Sequence, residues 1–264
     1  MIIALIDNGS LEAAAHRNLR AVATTLAERT GTAVHAVSWK HSDRIPPSEL
    51  DGTPAWTLGN FVRAMHALGQ REFVFVPFFI SAQGAIGSAL REDLEKLRRE
   101  LGAFAISFVS GLAERGAVAA IVAARIREAL ATQGLTTSPI VLVDHGGPSP
   151  TSAALRDRIA AEVHGLLGRE IDSITAASME GDHPPLLADV LRAPGLADHR
   201  LIVAPLFLSP GRHAGPEGDI ARICATSPAR CHLAPLVGTH PLAATTLAVA
   251  LAEFLSTLPA EISA

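Results

Sequence analysis

The chain has 264 residues, of which 48% are hydrophobic and 18% charged, and its net charge at pH 7 is −4. This length and composition predict one or two globular domains and exclude a disordered or fibrous protein. Lysine and arginine do not gather into a long run, which argues against binding to nucleic acid through its phosphates. The longest apolar runs have about eight residues, whereas a membrane-spanning helix needs about 20.

The first residues, Met1 to Asp7, have the pattern of a buried strand rather than of a secretory signal. Cys224 and Cys231 are the only cysteines, too few for a disulfide framework or a cysteine-ligated iron–sulfur cluster. We therefore expect a cytoplasmic protein with no nucleic-acid partner and no membrane association. It would act as a monomer or a homodimer.

An internal repeat sets the predicted architecture. The sequence IALIDNG, which begins at Ile3, recurs 137 residues later as IVLVDHG, which begins at Ile140. Farther along, VPFFIS from Val76 resembles APLFLS from Ala204, 128 residues later. Two halves of the chain therefore follow one plan. We place them at residues 1–132 and 139–264, joined by a turn-rich linker.

Short apolar strands alternate with amphipathic helices in each half. In the second half, strands are predicted near 140–144, 171–177, 201–208 and 231–236, and helices near 150–167, 184–192, 217–225 and 241–256. Strands that are apolar throughout are typical of a parallel sheet covered by helices on both faces. We therefore predict an α/β protein of two tandem doubly wound parallel-sheet domains that face each other across a cleft.

Polar side chains follow three successive strands of the second half. His145 ends the first strand, Glu180 follows the second and His213 follows the third. Ligands of such sheets bind at the carboxyl ends of the strands, so these side chains are expected to converge. Two imidazoles and a carboxylate suit a divalent ion such as Fe, Co, Ni or Zn with open coordination positions. A single histidine at a strand end is more often structural, but three polar residues on one rim favour a site.

Several motifs of the second half resemble one known family. They are DHG over 144–146, PLFLSPGRH over 205–213 with Asp219 and Ile220 shortly after, and GTHP over 238–241. Together they are similar to the sirohydrochlorin chelatases, the cobaltochelatase and ferrochelatase group of the class II tetrapyrrole chelatases. The resemblance covers residues 139–256. The sequence departs from the family at Gly147, where serine is usual, and in a longer interval before Asp219.

The resemblance implies roles for particular residues. His145, Glu180 and His213 would be both the metal ligands and the catalytic residues. Substrate contacts are expected from Gly146, Ser209, Gly211 and Arg212, because glycines let a flat ligand approach the backbone and a guanidinium binds carboxylates.

The implied activity is insertion of Co²⁺ or Fe²⁺ into sirohydrochlorin in cobalamin or siroheme biosynthesis. No cofactor is expected beyond this substrate metal. The alternatives are a class II chelatase for another metal or porphyrin, and a non-catalytic tetrapyrrole- or metal-binding protein of the same fold.

The first half lacks the corresponding ligands. Asn8 aligns with His145, and Ala85 aligns with His213. We expect this half to form the opposite wall of the cleft, with a degenerate site. The loop over 39–57, which includes Trp39 and Lys40, would stack on a macrocycle or bind its carboxylates. A solvated loop with packing tryptophans is the alternative. His240 is either a helix-entry residue or a site residue.

Overall fold

The computed structural model describes residues 1–81, 85–147, 150–196 and 199–258. The strands within these residues are β1 (Ile2–Asp7), β2 (Val34–Ser38), β3 (Trp56–Thr57), β4 (Glu72–Pro77), β5 (Ala105–Phe108), β6 (Pro139–Asp144), β7 (Ser173–Ser178), β8 (Arg200–Pro205) and β9 (Arg230–Leu233). The α-helices are α1 (Ala13–Thr30), α2 (Leu58–Ala67), α3 (Ala85–Leu101), α4 (Ala117–Thr132), α5 (Pro150–Leu167), α6 (Leu187–Arg192), α7 (Asp219–Ala225) and α8 (Pro241–Ser256).

The strands form two parallel sheets with the same plan. The first has the order β3-β2-β1-β4-β5 and the second the order β7-β6-β8-β9. Leu5 of β1 lies between Ala36 of β2 and Val76 of β4, and Leu142 of β6 has the corresponding central place. Apart from the short edge strand β3, the two orders are identical along the chain. The prediction of an α/β protein built from two doubly wound parallel sheets is confirmed.

The central strands are buried on both faces because they are apolar throughout. Ile3 to Ile6 of β1 and Ile140 to Val143 of β6 are at most 1% exposed. Strands buried in this way direct their polar residues to their ends, where the chain leaves the sheet. The functional candidates of the second half lie at those ends.

The structure divides into two compact units whose boundaries differ from the predicted halves. The first unit comprises residues 1–115 together with the chain from Pro241 onward, and the second comprises 116–240. Relative to the predicted boundaries at 132 and 139, helix α4 therefore belongs with the second sheet and helix α8 with the first. Helix α8 packs along α1. In α4, Arg125 donates hydrogen bonds to the Leu236 carbonyl at 3.0 Å and to Thr239 Oγ1 at 2.8 Å.

In the second unit, the observed element boundaries differ most from the predicted ones around the loops that carry the candidate site residues. Helices α5 and α8 span the predicted ranges, whereas α6 and α7 begin a few residues later than predicted. Strands β8 and β9 end before the predicted 208 and 236. After β8 the apolar run continues outside the sheet, where the Leu206 amide still donates to the Val143 carbonyl at 2.7 Å. The apolar pattern marks burial there rather than strand.

No helix in the part of the chain that the structure describes is both long enough and apolar enough to cross a membrane.

Candidate metal-binding site

The backbone brings His145 and Glu180 together at the ends of β6 and β7. The Met179 amide donates to the Asp144 carbonyl at 2.8 Å, and the Glu180 amide donates to the His145 carbonyl at 3.2 Å. Gly146 lies beneath this crossing with φ +80°, and a Cβ there would lie 1.8 Å from the Glu180 carbonyl oxygen. Gly146 was predicted to admit a flat ligand. The structure gives this glycine an internal reason as well, namely the close passage of the neighbouring loop, and its contact with a ligand stays a prediction.

The three predicted ligands are neighbours. His145 Nε2 lies 3.5 Å from Glu180 Oε1. The rings of His145 and His213 meet edge to face, with centroids 4.7 Å apart at 84°. Among the described residues, no group of three or more His, Cys, Asp or Glu side chains is placed to hold a metal ion as it stands. The site is therefore an open pair of imidazoles with a carboxylate beside one of them, rather than a closed cage.

Both imidazoles are oriented through Nδ1. His145 Nδ1 lies 2.7 Å from the Gly146 carbonyl, and His213 Nδ1 lies 2.6 Å from Asp219 Oδ2. Because each partner is an acceptor, each neutral ring carries its proton on Nδ1 and its lone pair on Nε2. Metal-ligating histidines are commonly held by a carbonyl or carboxylate in this way. The arrangement leaves the Nε2 atoms as the positions at which these rings could ligate a metal ion.

Asp219 is the partner that orients His213. Hydrogen bonds from His213 and then from Arg222 hold the pKa of the Asp219 carboxyl below its usual value, so the carboxylate stays ionised. Arg212 contributes a longer contact, with Nε 3.9 Å from Asp219 Oδ2. Sequence analysis left Asp219 without a role and did not single out Arg222. An aspartate that opens the helix after a histidine loop is the signal that points to this pairing.

A tight loop absorbs the longer interval between His213 and Asp219. The Gly215 amide donates to the Gly211 carbonyl at 2.7 Å, and the Asp219 amide returns to the Arg212 carbonyl at 3.2 Å. A Cβ at Gly218 would lie 2.6 Å from the His213 carbonyl oxygen. The additional residues therefore fold back on the loop, and Asp219 still reaches the imidazole.

Three of the predicted substrate-contact residues, Ser209, Gly211 and Arg212, lie at the start of this same loop, whereas Gly146 follows β6. The Arg212 side chain is 80% exposed, while Ser209 and Gly211 are half-buried. Next to them, an open pocket of about 340 Å³ lies at the carboxyl ends of β8 and β9. Its lining is mainly apolar and includes Ala214, which follows His213, and Leu233. Contacts of these residues with a substrate remain a prediction.

A buried arginine is hydrogen-bonded to the strand ends that carry the candidate ligands, and sequence analysis missed it. Arg156 on α5 is 2% exposed and donates through Nη1 to Ser178 Oγ at 2.6 Å. Ser178 Oγ in turn donates to Asp144 Oδ1 at 2.7 Å, and the same oxygen accepts the Gly146 amide at 3.1 Å. This network joins α5 to the ends of β6 and β7. The sequence does contain an indication of its burial, because Arg156 lies on the apolar face of α5 one turn before Ile159.

His240 lies beside Glu128 of α4, with Nε2 3.4 Å from Oε1, and its side chain is 11% exposed. Burial, with the nearby Arg125 charge, lowers the pKa of His240. These contacts favour the interpretation of His240 as a helix-entry residue.

The first unit repeats the loop crossing with different side chains. A Cβ at Gly9, which has φ +86°, would lie 1.8 Å from the Lys40 carbonyl oxygen, and the Lys40 amide donates to the Asn8 carbonyl at 3.2 Å. Asn8 therefore replaces His145, as predicted, and Lys40 replaces Glu180, a substitution that sequence analysis missed. Ala85 was predicted to replace His213, but its side chain lies outside the described residues.

The network beneath the first-unit crossing also differs from that of the second unit. Ser38 Oγ lies 3.4 Å from His16 Nδ1, where Ser178 contacts an arginine. Burial lowers the pKa of His16 to about 4, and burial raises the pKa of Asp7 to about 6. Near pH 5, between these two pKa values, Asp7 and His16 are therefore both neutral.

Comparisons with known proteins agree with this fold. Residues 139–254 match the family model CbiX, which confirms the family suggested by the motifs of that segment. The structure of CbiX, the terminal enzyme for biosynthesis of siroheme in denitrifying bacteria, is similar with a TM-score of 0.69 and 19% identity. That match covers 98% of this chain and 99% of the other.

Two structures of SirB from Bacillus subtilis are also similar. SirB with Fe³⁺ has a TM-score of 0.67 and 14% identity, and the SirB sirohydrochlorin chelatase of subspecies spizizenii in complex with cobalt has 0.64 and 15%. Each match covers 96% of this chain and 95% of the other. No curated protein matches the sequence. At these identities the structural likeness shows the fold.

Proposed function

Since residues 139–254 belong to the CbiX family, we propose that the protein inserts a divalent metal ion, Co²⁺ or Fe²⁺, into sirohydrochlorin. The observation that carries the proposal is the contact of His145 with both Glu180 and His213 at the strand ends of the second unit. Relatives of the same fold are described as acting in siroheme biosynthesis and as holding cobalt or iron. A place in cobalamin or siroheme biosynthesis belongs to the same proposal.

Insertion exchanges two protons for one dication. Two pyrrole N–H groups lose their protons, the ion loses water, and four ring nitrogens become its ligands. In the proposed reaction, Nε2 of His145 and of His213 hold the ion with both rings neutral. As the ion passes to the macrocycle, the freed Nε2 lone pairs accept the pyrrole protons. Net charge is unchanged, because a dication enters the ring as two protons leave it.

The open geometry suits a metal that is a substrate rather than a resident cofactor. A closed ligand set would retain the ion, whereas an exposed pair of imidazoles lets it reach another set of nitrogens. The Glu180 side chain is 60% exposed, so it can take up protons from the imidazoles and release them to water. Asp219 keeps the His213 ring in one orientation while the ion moves.

The rest of the proposed site matches the chemistry of the macrocycle. Sirohydrochlorin carries eight carboxylates, and the exposed Arg212 and Arg222 guanidiniums lie beside Asp219. The apolar pocket that includes Ala214 and Leu233 suits an edge of the ring. These groups would hold the substrate over His145 and His213.

The test is anaerobic incubation of the full chain with sirohydrochlorin and either Co²⁺ or Fe²⁺, followed by visible absorption. We expect insertion faster than in the protein-free control, and a loss of about a hundredfold or more in His213→Ala. His164→Ala is the matched control, since His164 is an exposed histidine on α5, and its rate should equal that of the wild type.

Three results would contradict the proposal. No acceleration with either ion would remove the chelatase assignment, and tetrapyrrole binding without insertion would favour a non-catalytic binding protein. A wild-type rate in His213→Ala would mean that this site is not the catalytic one.

A further inference from the structure

We infer that Cys224 and Cys231 of the second unit form a reversible oxidation site, at which a hydroperoxide converts the two thiols into an intramolecular disulfide. Cys224 lies in the last turn of α7, and Cys231 lies in β9 at the edge of the second sheet. Both cysteines are free thiols in the structure. The inference concerns residues other than His145, Glu180 and His213, and it does not depend on the proposed function.

A short turn brings the two cysteines together. At the end of α7 the Ser227 amide donates to the Cys224 carbonyl at 3.2 Å, and Ser227 Oγ lies 3.0 Å from that carbonyl and 3.1 Å from the Ala229 carbonyl. The chain then returns along β9, where Cys231 packs against the buried cluster that contains Cys224. The two thiols share a hydrogen bond. A disulfide can form only between side chains that meet, and the turn supplies this proximity.

The two thiols have different surroundings. Cys224 is 9% exposed, whereas Cys231 is half-buried and has Ser227 Oγ 3.5 Å from its Sγ. A serine hydroxyl can rotate to donate a hydrogen bond to a thiolate. The hydrogen bond from Cys224 lowers the pKa of the Cys231 thiol against the effect of burial, and Ser227 lowers it further. The same contact between the thiols, together with burial, raises the pKa of Cys224. Cys231 is therefore the thiol that ionises and reacts first.

The oxidation has two steps. The Cys231 thiolate attacks one oxygen of the hydroperoxide, so that an S–O bond forms as the O–O bond breaks, and the other oxygen leaves with the thiol proton as water or an alcohol. The Cys224 sulfur then attacks the sulfenic acid on Cys231. An S–S bond forms as the S–O bond breaks, and the hydroxyl leaves with the Cys224 proton as water. The thiols lose two electrons and the peroxide gains them.

The reverse reaction needs a dithiol reductant, whose thiolate attacks the disulfide through a mixed disulfide. In a reducing environment, the disulfides that do form are commonly transient ones of this kind. We therefore expect the pair to report the balance between peroxide and thiol reductant rather than to hold the fold together.

The test is peptide mapping of the full chain after treatment with hydrogen peroxide. The protein is first reduced and freed of metal ions with a chelator, then oxidised, blocked with an alkylating reagent, unfolded and digested with trypsin. Cleavage after Arg222 and Arg230 places the cysteines on separate peptides, 223–230 and 231–264. We expect these peptides to be joined after oxidation, with the loss of both free thiols, and to separate after dithiothreitol.

Single variants test the order of the two steps. In Cys224→Ser, the sulfenic acid on Cys231 lacks its partner and should be captured by dimedone. In Cys231→Ser, the buried Cys224 should react with peroxide at least about tenfold more slowly at pH 7 than Cys231 does in Cys224→Ser. Equal rates in the two variants would overturn the assignment of Cys231 as the first thiol to react.

Ser227→Ala tests the positioning residue. It should slow the oxidation of Cys231 by about two- to fivefold at pH 7 and move the rise of the rate to higher pH, because the thiolate loses a hydrogen-bond donor. Thr226→Ala is the matched control, since Thr226 Oγ1 bonds to the carbonyls of Arg222 and Ile223 instead. An unchanged pH profile in Ser227→Ala would remove Ser227 from the site.

The outcomes for the pair are separate from those for metal insertion, because no tetrapyrrole is present in this assay. Two free thiols that survive peroxide, a disulfide that joins two copies of the chain, or irreversible oxidation of Cys231 without a disulfide would each refute the oxidation site and leave the proposed function as it stands.

Discussion

Replacing Asp7 by asparagine should stabilise the protein in a pH-dependent way. Burial raises the pKa of Asp7 to about 6, from 3.8 for an ordinary aspartate, against smaller opposing effects of Ser38 and the Gly9 amide. The folded state thus binds the proton more tightly than the unfolded state does. Stability is therefore lost as the pH rises from about 4 to about 6, and the loss is complete above that.

The magnitude follows from the size of the shift. A difference of about two pKa units corresponds to about 3 kcal/mol of unfolding free energy at pH 8. Asparagine keeps an oxygen that accepts the Gly9 amide, which lies 3.0 Å from Asp7 Oδ1, but carries no charge. Asp7→Asn should therefore raise the free energy of unfolding by up to about 3 kcal/mol at pH 8, and change it little below pH 4.

Urea unfolding of wild type and variant at several pH values between 4 and 8 measures this difference. Asp144→Asn is the matched control at the equivalent position of the second unit. There the Asp144 carboxylate accepts a hydrogen bond from Ser178 Oγ, which in turn accepts one from the buried Arg156. Asp144→Asn should therefore lower the free energy of unfolding. A difference between wild type and Asp7→Asn that does not grow with pH would refute the assignment of burial as the dominant effect.

Two further predictions concern the candidate metal-binding site, and both are measured by titration of the full chain with Co²⁺ followed by visible absorption. Asp219→Asn removes the charge that orients His213 and should weaken Co²⁺ binding by about ten- to a hundredfold, so an unchanged affinity would remove Asp219 from the site. Ser178→Ala removes the hydroxyl that accepts from Arg156 and donates to Asp144, and it should weaken Co²⁺ binding by about tenfold. Ser38→Ala, at the equivalent place in the first unit, should leave that affinity unchanged, and equal effects of the two serine variants would contradict the second prediction.

Much of the fold could be predicted because it depends on local pattern. Strands that are apolar throughout indicate a parallel sheet. The match of the segment at Ile3 with the segment at Ile140 indicates that both halves have the same fold. The helix pattern of α4 and α8 shows that each buries an apolar face, but it does not show against which sheet. That partner is decided by long-range packing, such as the bonds of Arg125 to Leu236 and Thr239.

The proximity of the candidate ligands was also predictable, since His145, Glu180 and His213 each follow a parallel strand and such ends meet at one edge. The supporting residues were harder to find. Arg156 comes from a helix rather than from a strand end, and its partner Ser178 is distant in sequence. The place of Lys40 was missed because its offset from Glu180 is 140 residues rather than the 137 of the central strands.

Helix α4 belongs to the second unit and α8 to the first, and this assignment changes how shortened forms of the chain are expected to behave. The backbone enters the second unit after Arg115 and leaves it before Pro241, so the second unit is an insertion within the first. A chain that stops at residue 240 keeps every residue of the second unit, including His145 and His213. It loses α8, however, and with it the helix that packs along α1. Truncation at the carboxyl terminus thus damages the amino-terminal unit.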